Sequence, residues 1–220
     1  MSLLPAPFLF RYSLPVQQIS GIPKAKSPQL KLPTSCATPF PSLMNGGQQF
    51  ASLSLAWNSA GLAISISVTG KTDWPDCQPD APLSSDRVQI WFDTRDTQTI
   101  HRASRYCHQF TLLPMGSGKD GMQPVLQQFP VPRAGDDAPE VELDSILLES
   151  ETTESDYCVS AWFPTHSLHG FDPEVYSRLG FYLMVHDGEL GQQFLTVGED
   201  FPYQSDPSLW VSLDLCAAAP

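Results

Sequence analysis

The side chains with the widest chemical repertoire gather between Asp86 and Phe110, in the stretch DRVQIWFDTRDTQTIHRASRYCHQF. His101, Cys107 and His108 are residue types that ligate zinc, and Cys77 in the preceding loop could join His101 and Cys107 in an incomplete set. None of these residues has the pair spacing of a zinc finger. Cys107 and His108 are adjacent, so on a regular strand they point to opposite faces and do not share one metal easily. Arg102 and Arg105 are spaced to pair with Asp93 and Asp96 and tie the Asp-rich turn together, which stabilises little when exposed. A Cys77–Cys107 disulfide is a further option, and it would require an oxidising compartment.

Catalytic signatures are missing. The sequence has no G-x-S-x-G, no H-E-x-x-H, no P-loop and no dinucleotide fingerprint. A carboxylate pair for glycoside hydrolysis could be drawn from 24 acidic residues, but nothing singles one out. The sequence therefore gives no ground for proposing an enzyme.

Composition narrows the partners. The 220 residues carry 24 acidic against 12 basic side chains, a net charge of −12. Nucleic-acid binding depends on cationic neutralisation of phosphates, so nucleic acid is an unfavourable partner. No apolar run reaches the roughly 18 residues of a membrane-spanning helix, so no membrane insertion is expected. The apolar N-terminus, MSLLPAPFLFRYSLPV, lacks a basic start and is broken by Pro5, Pro7 and Arg11. It reads as a first strand rather than a signal peptide. The 5 cysteines are widely spaced with no C-x-x-C, which fits reduced thiols and a cytoplasmic setting.

The elements that must position these groups are strands. Residues 8–14 suggest an edge strand, followed to residue 49 by a proline-rich arm, since proline fixes φ and removes a ladder donor. The secure local feature is a hairpin. Leu53, Leu55 and Trp57 alternate with small polar residues, an Asn58–Gly61 turn follows, and Leu62, Ile64, Ile66 and Val68 alternate in turn. Val88, Ile90 and Phe92 define the next strand, with Gln89 and Trp91 on its other face. Further strands are expected over 106–113, 122–131, the acid-rich 136–154, 157–163, 179–185, 194–198 and 210–215. About ten strands without an amphipathic helix indicate an all-β fold, an antiparallel sandwich of two sheets, jelly-roll or immunoglobulin-like. Residues 50–220 would form the sandwich and residues 1–49 an arm packed on it. Trp91, Trp162, Tyr182 and Met184 lie opposite the main apolar rows, giving a second partly apolar face for the arm or for a protein partner to cover.

In order along the chain, LAWNSAGLAISISVTGK, DRVQIWFDTRD, SAWFPTHSL, LGFYLMVHDGE and DPSLWVSLDL resemble the family 9 carbohydrate-binding modules, which are DOMON-like β-sandwiches. The resemblance covers roughly residues 50–215. It departs from the family pattern at Gln89, where an acid is usual, and at Ala161-Trp162. It implies non-catalytic binding of a sugar or polysaccharide end, in modules that accompany glycoside hydrolases. By this resemblance Trp74 and Trp210 occupy the places of two tryptophans that clamp a terminal sugar. Arg105, His108 and Asp187 would be the polar contacts to its hydroxyls. Members of the family also bind calcium, for which Asp187 with Glu189, or Asp136 with Asp137, are the candidates. A protein-interaction sandwich and a Cys/His metal domain are the alternative readings.

Overall fold

The computed structural model describes residues 6–23, 30, 32–46 and 49–217. Within them the chain is all-β, with 12 strands joined by loops and single 3₁₀ turns. These are β1 (Ser13–Gln18), β2 (Ala37–Thr38), β3 (Ala51–Asn58), β4 (Gly61–Thr69), β5 (Arg87–Asp93) and β6 (Cys107–Ser117). They are followed by β7 (Gln123–Phe129), β8 (Leu147–Thr152), β9 (Asp156–Pro164), β10 (Arg178–Asp187), β11 (Gly191–Phe194) and β12 (Val211–Cys216).

The expected hairpin is β3–β4, paired Leu53↔Ile66, Leu55↔Ile64 and Trp57↔Leu62. Its turn is held by Asn58, whose Oδ1 accepts the Ala60 N–H and whose Nδ2 donates to the Ile22 carbonyl. Gly61 is required here for space: a Cβ would stand 2.3 Å from the Phe163 carbonyl oxygen on neighbouring β9.

The strands form one continuous sheet in the order β7-β6-β5-β10-β12-β1-β3-β4-β9-β8, with β11 added to β10 and β2 to β3. The sheet curls until its two end strands, β7 and β8, touch. Two separate sheets were expected; instead β1 carries the sheet across from one wall to the other. It runs parallel to β12 on one side and to β3 on the other, the parallel exceptions in an otherwise antiparallel ladder. The expected edge strand over 8–14 is thus displaced to 13–18 and lies centrally. Pro15 is tolerated there because β3 pairs only with Gln17 and Gln18, so its missing N–H leaves no bond to β3 unmade.

One core fills the inside of the curl. Phe92 packs on Phe163, Phe181 and Phe110 with centroid separations of 5.2, 5.6 and 6.3 Å. Each such fully buried side chain contributes roughly 1.5–3 kcal/mol. Residues N-terminal to position 50 share in this packing: Leu14 and Val16 belong to the main core. Ile22, Leu30 and Cys36 form a second cluster with Ala56, Ala63 and Trp162 on the outside of β3, β4 and β9. Residues 1–5, 24–29, 31, 47 and 48 of the expected arm lie outside the described residues. The remaining second-face aromatics are covered by another part of the chain, since Tyr203 stacks on Tyr182 at 4.6 Å and meets Trp91 edge-on at 5.6 Å.

The strand expected at 194–198 forms earlier, as β11. Asp187 Oδ1 accepts the N–H groups of Glu189 and Leu190, both at 3.0 Å, and closes the turn at once. Gly191 then starts the return strand at φ 95°, in the left-handed region that glycine enters freely.

Candidate functional site

The alternation of β5, β6 and β10 sorts their side chains between the core and an outer face. Val88, Ile90 and Phe92 point inward, opposite Leu112, Phe110 and His108 of β6 and Val185, Leu183 and Phe181 of β10. The outer face receives Arg87, Gln89 and Trp91 from β5, and Gln109 and Thr111 from β6. Gln127 and Phe129 extend it on β7. Tyr182, Met184 and His186 extend it on β10. A polar row therefore runs across three strands, bordered by aromatic rings.

Two loops rise beside this row. The first spans residues 70–86: the Pro79 carbonyl accepts a hydrogen bond from Gln127 Nε2 at 2.9 Å, and Trp74, 41% exposed, projects from the same loop. The second spans residues 195–206 and carries Tyr203. Trp210 supports it from behind, its Nε1 donating to the Tyr203 carbonyl at 2.8 Å.

Between the loops, Arg87 donates through Nε to Gln89 Oε1 at 3.2 Å and through NH1 to the Ser85 carbonyl at 3.1 Å. Burial pushes the Arg87 pKa below its ordinary value, against the raising effects of Tyr203 and Asp86. Trp91 Nε1, Gln109 Oε1, Thr111 Oγ1 and His186 Nδ1 are buried without a hydrogen-bond partner in the protein. Such groups carry a desolvation cost that a bound hydroxyl or a water relieves. A guanidinium, two amides, a hydroxyl and an indole N–H gather here, donors and acceptors of the kind that bind a polar, oxygen-rich ligand.

The residues named from sequence fall in several places. Trp74 is exposed on the first loop. Trp210 is buried and presents no stacking face to solvent. It immediately precedes β12, whose first residue Val211 pairs with Phe181, whereas Trp74 lies two residues after Thr72, whose N–H binds Glu189 just beyond the far end of β10. The six steps along the strand from Phe181 to Asp187 span about 20 Å, so the two tryptophans do not form a clamp. His108 lies on the core face with no exposed surface, stacked at 6.2 Å on Phe110, and its pKa is lowered by burial to about 4. No sugar hydroxyl can reach it from the outer face. Arg105 is on the surface, its Nε donating to Asp136 at 2.8 Å, which also commits Asp136. Arg102 and Arg105 do not hold the Asp-rich turn. Asp93 accepts the N–H groups of Arg95 and Thr97, and Asp96 accepts the Ser212 hydroxyl.

The metal candidates are likewise dispersed. Cys77 lies beside Met115 near the end of β6, while Cys107 begins that strand. Eight residues of strand place them about 26 Å apart, too far for a disulfide or a shared ion, and both are free thiols pushed up to about 12 by burial. His101 is on another loop, its Nδ1 3.0 Å from Asp206. Among the described residues no group of three His, Cys, Asp or Glu side chains is arranged to hold a metal.

Asp187, a candidate for both sugar and calcium, is fully buried and committed elsewhere. Lys71 Nζ donates to its two oxygens at 2.9 and 2.7 Å, and to Asp86 Oδ2 at 3.1 Å. Burial alone would lower the Lys71 pKa, but the hydrogen bonds to Asp187 and Asp86 outweigh it and raise it. The ammonium stands where a cation between these carboxylates would go. This network pins β10 to the start of β5 and anchors the loop that carries Trp74. Glu189 adds the Thr72 N–H, at 2.8 Å, which holds its carboxyl below the ordinary range.

Gln109, Thr111 and Gln127 are the polar residues that sequence reading passed over. Their signal is the same alternation that fixed the core: Thr111 stands between the apolar Phe110 and Leu112, and Gln109 and Gln127 fall two residues from it on β6 and opposite it on β7, so all three share its outer face. Gln89 was visible as a departure from the family pattern, and its place in the row explains why that position is polar.

No protein-family model and no curated protein matches the chain. Solved structures do. A family 9 carbohydrate-binding module from Caldicellulosiruptor kristjanssonii in complex with cellotriose superposes with a TM-score of 0.64 at 12% identity, covering 94% of this chain and 95% of that one. A family 9 module from the same organism in complex with glucose gives 0.55 at 13% identity, over 77% and 78%. A Bacteroides uniformis protein provisionally described as carbohydrate-binding gives 0.52 at 10% identity, over 94% and 100%. The chain thus shares the fold of family 9 carbohydrate-binding modules, as its motif order implied.

Proposed function

We propose that this chain is a non-catalytic carbohydrate-binding domain, holding a neutral sugar over the outer face of β5 and β6 between the loops 70–86 and 195–206. Arg87, Gln89, Gln109 and Thr111 would bond the hydroxyls. Trp74 would stack on the apolar face of the ring, as the CH-rich side of a pyranose complements an indole. Trp210 acts indirectly in this reading, by fixing the main chain at Tyr203. The observation that carries it is the row of buried polar atoms with no partner in the protein, Trp91 Nε1, Gln109 Oε1 and Thr111 Oγ1, on one face of adjacent strands. The likeness in fold to modules solved with glucose and cellotriose supports the ligand class.

Calorimetry with glucose and with cellotriose tests the reading. Expected is saturable binding at millimolar concentration or tighter, weakened about tenfold by Trp74→Ala, the size of effect that losing one stacking contact produces. No heat of binding with either sugar would refute it.

A further inference from the structure

A second cleft opens beside the loop 195–206, between the N-terminal segment 7–12 and the segments 97–101 and 196–211. Its volume is ≈ 610 Å³, on the scale of a small-ligand site. It shares no lining residue with the β5–β6 polar row. One side is aromatic: Phe8 and Phe10 are 42% and 60% exposed, and Phe8 stacks on Phe201 at a centroid distance of 4.6 Å. The other side is polar, with Gln98, Thr99 and His101.

His101, Asp206 and Ser208 meet here, yet they do not form a hydrolytic triad. Asp206 Oδ2 and Ser208 Oγ both approach the same ring nitrogen, His101 Nδ1, at 3.0 and 3.1 Å. A triad needs the acid and the hydroxyl on opposite nitrogens. Asp206 also accepts the Ser208 N–H and hydroxyl and so caps the turn before β12. The cluster fixes the ring and leaves Nε2 for a ligand.

We infer that this cleft is a second ligand site, for a neutral glycoside with an apolar aglycone. Exposed phenylalanines without a tryptophan face open to solvent suit an aryl or alkyl group better than a bare sugar ring. Gln98 Nε2 is committed to Asp96 Oδ1 at 2.7 Å, so its amide oxygen, the hydroxyl of Thr99 and the imidazole of His101 supply the hydroxyl contacts on the facing side. Arg11 and Asp206 both line the cleft, so their opposite charges favour neither an anionic nor a cationic occupant. The cleft shares the loop 195–206 and Trp210 with the surroundings of the β5–β6 face, but none of the side chains proposed to bind sugar there.

Backbone-amide NMR titration with para-nitrophenyl β-glucoside, methyl β-glucoside and para-nitrophenol tests it. Expected is a saturable shift in residues 8–12, 98–101 and 201–210 with the nitrophenyl glucoside, weakened about tenfold by Phe10→Ala and unchanged by Trp74→Ala. Phe10 is exposed, so its loss leaves the fold intact; Gln98→Leu should weaken binding in the same assay. The inference is overturned if these residues do not shift, if para-nitrophenol alone binds as tightly, or if Trp74→Ala rather than Phe10→Ala removes the effect.

Discussion

Lys71 donates to both carboxylate oxygens of Asp187, at 2.9 and 2.7 Å, with its side chain 3% exposed and that of Asp187 completely buried. The pair joins the end of β4 to the end of β10. Through Asp86 it also reaches the start of β5, whose outer face is the proposed binding surface. Removing the ammonium leaves two carboxylates, Asp86 and Asp187, buried without their cation. Lys71→Met should cost about 3–5 kcal/mol, the usual cost of breaking a buried pair. Urea unfolding measures it, and a loss below about 1 kcal/mol would show that the network contributes little.

His108 makes the fold sensitive to mild acid. An exposed histidine titrates near 6.5, whereas burial lowers this one to about 4. As pH falls below 6.5 the unfolded chain takes up a proton at this position that the folded chain refuses until about pH 4. Folding stability therefore declines across that window, by about 3 kcal/mol from this group. His108→Leu, which keeps an apolar side chain beside Phe110, should flatten the decline. An unchanged slope between wild type and variant would assign it to other groups.

Gly61 tests the hairpin geometry. Its missing Cβ is what lets β9 approach, because that atom would sit 2.3 Å from the Phe163 carbonyl and 2.7 Å from the Trp162 ring. The carbonyl belongs to backbone and cannot swing aside. Gly61→Ala should destabilise by more than about 2 kcal/mol, well beyond a typical surface substitution. A melting temperature equal to that of wild type would show that β9 shifts freely.

The period-two alternation made most of the core legible. Leu53, Ile64, Val88, Phe92, Val159, Phe181 and Leu183 could each be assigned inward from their neighbours alone, and each is buried. The same rule held the key to the outer face, since a residue between two core positions must point away from them. Gln109 and Thr111 were passed over because Arg105 and His108 offered more reactive chemistry nearby. His108 falls to the same rule, since it shares a face with Phe110 and Leu112, and it stands opposite Phe92 in the core. The buried Lys71–Asp187 pair was invisible: 116 residues separate its partners, and only the closing of the sheet brings them together. Nor does composition announce a parallel central strand containing Pro15.

Cellotriose titration followed by NMR of the backbone amides, the glutamine side-chain amides and the tryptophan indole N–H groups probes the β5–β6 face itself. Expected are saturable shifts at Gln89, Gln109 and Thr111 and at the indole N–H of Trp91, with the Trp74 indole moving in step. Shifts confined to other surfaces, or none at millimolar sugar, would contradict carbohydrate binding at this face.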